Sequence, residues 1–186
     1  MLLDVMLISL VIGLLRGGKV RWLADLPFKK VGLVIAAFSI QYMLVFWGER
    51  GSNLFSNFGI YLHIFSYLLL LVAIWYSRNI RGMKIIGLGV LVNFIVILFN
   101  GGRMPVSVDA LVKAGLADTL PLLKSKAYAI HTILTQNTRL KLLCDVIVLP
   151  PPYPRPRVLN IGDIIMAIGA FILIQYGMIQ RKNTLI

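Results

Sequence analysis

The sequence predicts an all-α integral membrane bundle with five transmembrane spans and a structured external segment before the last span. Three observations predict it. Of 186 residues, 59% are hydrophobic and 14% charged, and mean hydropathy is +0.86, a balance of polytopic membrane proteins rather than small soluble domains. Five apolar runs of 15 to 19 residues stand at 1–15, 31–47, 58–76, 85–99 and 164–179. Between the fourth and fifth lies a basic, proline-bearing stretch of 60 residues, 103–162. The whole chain, 1–186, reads as one membrane domain.

At ~1.5 Å rise per residue the runs cover roughly 22–29 Å, against a hydrocarbon core of ~30 Å. Trp22, Trp47, Trp75 and Tyr76 at their edges, with long basic side chains, make up the difference. The first run carries Asp4, lacks a basic leader and is followed by no small-residue cleavage site, so it is expected to be a retained span. A re-entrant first run is the competing expectation.

The short connections alternate in charge. Arg16, Lys19, Arg21, Lys29 and Lys30 follow the first run; Arg78, Arg81 and Lys84 follow the third; Arg181 and Lys182 follow the fifth. The connection after the second run holds only Arg50, balanced by Glu49. The excess of Lys and Arg marks the first set as cytoplasmic, which puts the N-terminus outside and the C-terminus inside. The 103–162 stretch is then external, and its eight cations do not oppose this, because long segments translocate regardless of charge.

A net charge of +12 in a soluble protein would suggest nucleic acid. Here the cations flank apolar runs, so membrane lipids are the expected partner and nucleic acid is not. The single cysteine, Cys144, excludes an intrachain disulfide. Oligomeric state is left open.

Within the external stretch, Ser107 is placed to cap a short helix through Ala114, with Asp109 and Lys113 as an i,i+4 pair and Gly115 as its stop. A second helix is expected from Asp118 or Thr119. Leu120, Leu123, Ala127, Ile130 and Leu134 form its apolar stripe, with Lys124 and His131 off it. Pro150, Pro151, Pro152, Pro154 and Pro156 predict an extended, stiff strut from Asp145 to Asn160. Asn160 is placed to cap the last span, with Asp163 in its first turn.

Polar groups gather at the external boundary: Asp4, His63, the Asn100, Gly101, Gly102, Arg103 turn, Cys144, Asp145, Asn160 and Asp163. Asn93 and Asn100, seven residues apart, fit one interior seam. Asp145 and Asp163 are the candidate catalytic residues, since two close carboxylates share a proton and divide acid and base roles on a water. The plainer expectation makes Asp163 a capping acid and Asp145 an ion-pair partner of Arg139 or Arg103. Arg103 is the candidate anchor for a phosphate or carboxylate, with Asn100, Gly101, Gly102 and Asn160 around it; a snorkelling arginine that ends the fourth span is the alternative. His63, His131, Cys144 and Asp145 lack metal-ligand spacing, and the chain has no phosphate loop or nucleophile elbow, so no metal or cofactor is expected. Gly87, Gly89, Gly169 and Gly177 fit close helix packing.

The segment Asn100-Gly-Gly-Arg-Met-Pro-Val-Ser107, Arg139-Leu140, and Asp145 through the prolines to Asn160-Ile-Gly-Asp-Ile164 resembles an uncharacterised bacterial multi-pass family, a domain of unknown function. That resemblance implies a bacterial cell-membrane protein and brings no activity. Leu159-Asn160-Ile161-Gly162-Asp163 is more weakly similar to the motif that opens the last span of the lipoprotein signal peptidases, which are membrane aspartyl proteases. That similarity implies catalytic roles for Asp145 and Asp163. Two functions follow as expectations: an outward-facing binding or accessory protein for a lipid, lipid-linked molecule, peptide or partner subunit, or a membrane aspartyl hydrolase.

Overall fold

In the computed structural model the described residues are 2–50, 58–124 and 130–179. Five apolar helices carry the architecture: α1 (Leu2–Leu15), α2 (Val31–Glu49), α3 (Gly59–Tyr76), α4 (Met83–Phe99) and, at the end, α7 (Ile161–Ile179). Between α4 and α7 come β1 (Met104–Val106), α5 (Val108–Lys113), α6 (Leu120–Lys124), β2 (His131–Ile133), β3 (Ile147–Leu149) and β4 (Arg157–Leu159). The protein is therefore mostly helical, with short strands that correct the all-α expectation. α2, α3 and α7 are long and apolar enough to cross a membrane; α1 and α4 are shorter apolar helices.

Helix α7 is the hub, packed on both α1 and α4. Small residues let α4 and α7 approach closely, because a side chain at either level would meet the opposing backbone. A Cβ on Gly89 would lie 2.5 Å from Gly162 O, and one on Gly169 2.6 Å from Ile86 N and 2.9 Å from Gly82 O. Against α1, α7 uses hydrogen bonds: Gln175 Nε2 donates to Ser9 O at 2.6 Å and to Ser9 Oγ at 3.0 Å, and Arg16 Nη1 donates to Gln175 Oε1 at 2.9 Å. A similar link joins α2 to α3, from Gln41 Nε2 to Ser66 Oγ at 3.0 Å.

One end of the bundle is basic. Lys19 N donates to Met178 O, Lys29 N to Ser77 Oγ, and the Arg81 guanidinium lies over the Tyr176 ring. These contacts bring the turns after α1 and α3 to the C-terminal end of α7. Arg181 and Lys182 of that set lie outside the described residues.

The 103–160 segment covers the opposite end. Val106, Leu111 and Leu123 form its own small core, while Met104 and Cys144 pack with Val96 and Ile97 of α4. Ile130 packs on Leu44 of α2. Ser107 caps α5 as expected, its Oγ accepting from Ala110 N at 3.3 Å, and Lys113 pairs with Asp109 at 2.7 Å. Two expectations for this segment are overturned. The helix expected through the Leu120 to Leu134 stripe is described only over Leu120–Lys124, and residues 131–133 are a strand paired in parallel with β1, so it does not run through Leu134; Ala127 lies outside the described residues. The stripe residues instead reach different cores: Leu120 and Leu123 that of the segment, Ile130 that of α2, Leu134 that of α4. The proline strut is also a hairpin, β3 against β4 with Ile147 opposite Leu159. Proline lacks the N–H a ladder needs, so Pro150 to Pro156 occupy the turn and leave the paired residues outside it.

Candidate functional site

Three chain segments converge where the cap meets the bundle. β1 lies between β2 on one edge and Asp145 on the other: Asp145 N donates to Pro105 O at 3.0 Å and Ser107 N to Asp145 O at 3.0 Å. The hairpin then folds back, and Val146 N donates to Leu159 O at 3.1 Å, so residues 145 and 160 meet at its base. Asn160 Nδ2 donates to Asp145 Oδ1 at 2.7 Å.

Asn160 also starts α7. Its Oδ1 accepts from Asp163 N at 2.9 Å, and its own N donates to Asp163 Oδ2 at 3.3 Å, a reciprocal capping box. The other oxygen, Asp163 Oδ1, accepts from Asn93 Nδ2 on α4 at 3.1 Å. One asparagine thus stands between the two carboxylates the sequence singles out and bonds to both. Asp163 is the first-turn acid. Asp145 has Asn160 as a hydrogen-bond partner and His131 nearby, with His131 Nε2 at 3.8 Å from Oδ2.

The electrostatics follow from depth. Asp145 is 6% exposed. Burial pushes its carboxyl up to about 7, the Asn160 amide opposes that shift, and the charge of Asp163 adds to it. His131 is held down at about 4, first by desolvation of its charged form and then by the charge of His63. The Cys144 thiol, fully buried, is raised to about 11 by burial and by Asp145. A buried carboxyl with its pKa raised to about 7 can donate or accept a proton near neutrality. Among the described residues no group of three or more His, Cys, Asp and Glu is placed to hold a metal ion.

The other expected ligand residues divide. Asn100 clamps a loop: its Nδ2 donates to Arg139 O at 3.0 Å and Val96 O at 2.8 Å, and its Oδ1 accepts from Arg139 N at 2.9 Å. Gly102, at φ 82, turns the chain off α4; a Cβ there would strike Ile60, and Gly102 O lies 2.7 Å from His63 Nδ1. Gly101, at φ 68, faces open space. Arg103 is half-buried at the entry to β1, and burial lowers its pKa. Asp4 meets the hairpin tip, 3.7 Å from Arg155 and 3.6 Å from Arg157. Of the Asn93 and Asn100 pair, only Asn93 reaches an acid.

The interhelix polar links of Ser9, Gln41, Ser66 and Gln175 escape a search for clustered ionisable groups. Their signal is a lone polar side chain inside an apolar helix, which has to find a partner. A shallow groove of about 450 Å³ on α2, lined by Val34, Ile35, Phe38, Ser39 and Tyr42, lies away from this polar junction.

The family of unknown function DUF5317 matches residues 25–175. An uncharacterized protein of Thermotoga maritima is 31% identical over 172 residues, covering 92% of this chain and 89% of that one. No solved structure matches. These matches lend no support to a likeness with the lipoprotein signal peptidases.

Proposed function

The chain belongs to the DUF5317 family, and from that premise we propose that it is a multi-pass bacterial cell-membrane protein that binds a lipid, lipid-linked or peptide ligand, or a partner subunit, with its 103–160 cap outside. The support for a bilayer is the outer surface of the helices. Leu3, Leu7, Ile35, Phe38, Phe65 and Leu91 are all exposed, apolar surface far beyond what a soluble monomer leaves open. α1 and α4 join the three longer helices as spans in this reading. The support for orientation is the cation excess at the end opposite the cap.

The observation that carries binding over catalysis is Asn160. It engages both acids in structural bonds, a reciprocal pair of N–H···O bonds with Asp163 closing a helix cap and one buried bond to Asp145 closing a hairpin. A hydrolase needs at least one carboxylate turned to a water. One feature favours that second reading: burial pushes the Asp145 carboxyl up to about 7, and the charge of Asp163 adds to the shift.

Two measurements test the proposal. In intact cells an impermeant maleimide reacts with Lys124→Cys on the cap and not with Asn79→Cys at the basic end; the reverse pattern rejects the orientation. Native mass spectrometry of the purified protein shows a retained ligand that survives Asp145→Asn. Cleavage products that vanish in that variant establish the hydrolase instead.

A further inference from the structure

The loop held by Asn100 is built to expose what loops normally hide. Leu142 is 81% exposed and Leu140 42%, and they alternate with the exposed cations Arg139 and Lys141. Three bonds join Asn100 to the loop and to its own helix: two to the Arg139 backbone and one to Val96 O. Cys144 Sγ donates to Leu140 O at 3.5 Å, and Leu143 N donates to the same oxygen at 2.8 Å, closing a tight turn. Leu140 sits at φ 55, the left-handed region that disfavours a non-glycine residue because its Cβ crowds the following carbonyl. A leucine held in that conformation beside a second one left in the open is strain retained at a surface, the usual mark of a working segment.

Position gives the loop a partner. Asn100 follows the last turn of α4, where Leu98 is 51% and Phe99 52% exposed. The Asn100 bonds to Arg139 thus tie the leucine tip to the end of α4 that carries these exposed apolar side chains. Two leucines beside two exposed cations that form no ion pair among the described residues match a lipid boundary, where acyl chains take the leucines and phosphates take the cations.

We propose that Arg139, Leu140, Lys141 and Leu142 form a docking tip for anionic phospholipid headgroups in the leaflet on the cap side. This rests on the membrane reading above and specifies where the cap meets that membrane. It commits to lipid phosphate; a free phosphate would satisfy the cations and leave the leucines in water.

The test uses the full chain in vesicles of phosphatidylglycerol or phosphatidylcholine. Nitroxide is attached at Leu142→Cys or, as reference, Phe38→Cys, each with Cys144→Ser removing the native thiol. The expected result is that both labels are more accessible to oxygen than to a water-soluble nickel chelate. In addition, spin-labelled phosphatidylglycerol is selected over phosphatidylcholine, and Arg139→Gln with Lys141→Gln lowers that selectivity by about threefold or more. Inorganic phosphate at constant ionic strength changes neither reading. A Phe38 label in lipid with the Leu142 label in water overturns the tip alone. Both labels in water overturn the membrane reading with it. A Leu142 label shielded from both reagents means that a protein covers the tip, and a selectivity unmoved by the double variant, or lost to inorganic phosphate, also rejects the proposal.

Discussion

The side-chain amide of Asn160 donates to Asp145 Oδ1 at 2.7 Å while its oxygen and backbone N–H close the capping box with Asp163. Three functions thus meet in one residue: it starts α7, it closes the base of the β3–β4 hairpin, and it links the two acids through its own bonds.

Asn160→Ala removes all three at once. Loss of an N-cap costs ~1 kcal/mol, and an acid left without its buried donor adds ~1–3 kcal/mol. Thermal unfolding in detergent is expected to fall by several degrees. Asn160→Ser restores the cap and not the reach to Asp145, so it recovers only the first part; a Ser variant that melts like the native protein would show that the Asp145 bond contributes nothing, and one that melts like the Ala variant that the cap contributes nothing.

The Asp145 and His131 shifts oppose each other in the same pH window. Asp145 is raised from the usual carboxyl range to about 7, so the folded state holds a proton that the unfolded chain gives up. Its contribution is present at low pH and is lost as pH rises from about 4 to 7. His131 is lowered to about 4, so its contribution is present above the ordinary imidazole value and is lost as pH falls toward 4. Asp163, His63 and Cys144 also lie at this junction, and their field is common to both. Stability of the native protein should change little between pH 4 and 7. His131→Gln should become less stable as pH rises across that range, and Asp145→Asn less stable as pH falls. Parallel slopes in the two variants would contradict the assignment.

What the sequence made legible was what short-range physics controls. The helices lie within a few residues of the apolar runs, because an 18-residue apolar stretch has few alternatives, and Ser107 and Asn160 cap where a polar side chain precedes a helical pattern. The cap was less legible because distant partners decide it. Met104 pairs with His131 across 27 positions, a pairing no periodicity announces, and it forces Ile130 and Leu134 out of a helix that their spacing allows. The hairpin hid behind its prolines, since the residues that pair, Ile147 to Leu149 and Arg157 to Leu159, are too few to show alternation. The closeness of Asp145 and Asp163 is a product of that hairpin. Their convergence was expected from the motifs, but not the asparagine between them.

The glycine seam gives a prediction about packing. Gly169→Val places two methyls where Gly82 O and Ile86 N already lie within 3 Å of a bare Cβ. Overpacking of this kind costs ~1–3 kcal/mol or forces α4 and α7 apart. Gly32→Ala, where nothing lies within 4 Å, is the control, and it should melt like the native protein or slightly higher. Equal effects at the two positions would mean that the helices do not cross as closely as the seam requires.

Cys144 offers a reporter of the cap itself. It is fully buried among Val96, Ile97 and Met104, and its thiol is raised to about 11, so almost none is thiolate at neutral pH. In the native protein a maleimide should react with it only when the cap lifts from α4, and the rate should therefore follow cap opening rather than reagent access. Asn100→Ala frees the Arg139 loop, whose carbonyl also receives the Cys144 thiol at 3.7 Å. That variant should label about tenfold faster, equivalent to ~1.4 kcal/mol of lost closure, with α-helical content by circular dichroism unchanged. Labelling at the native rate would place the hold on the cap elsewhere, in the Ile130 contact with Leu44.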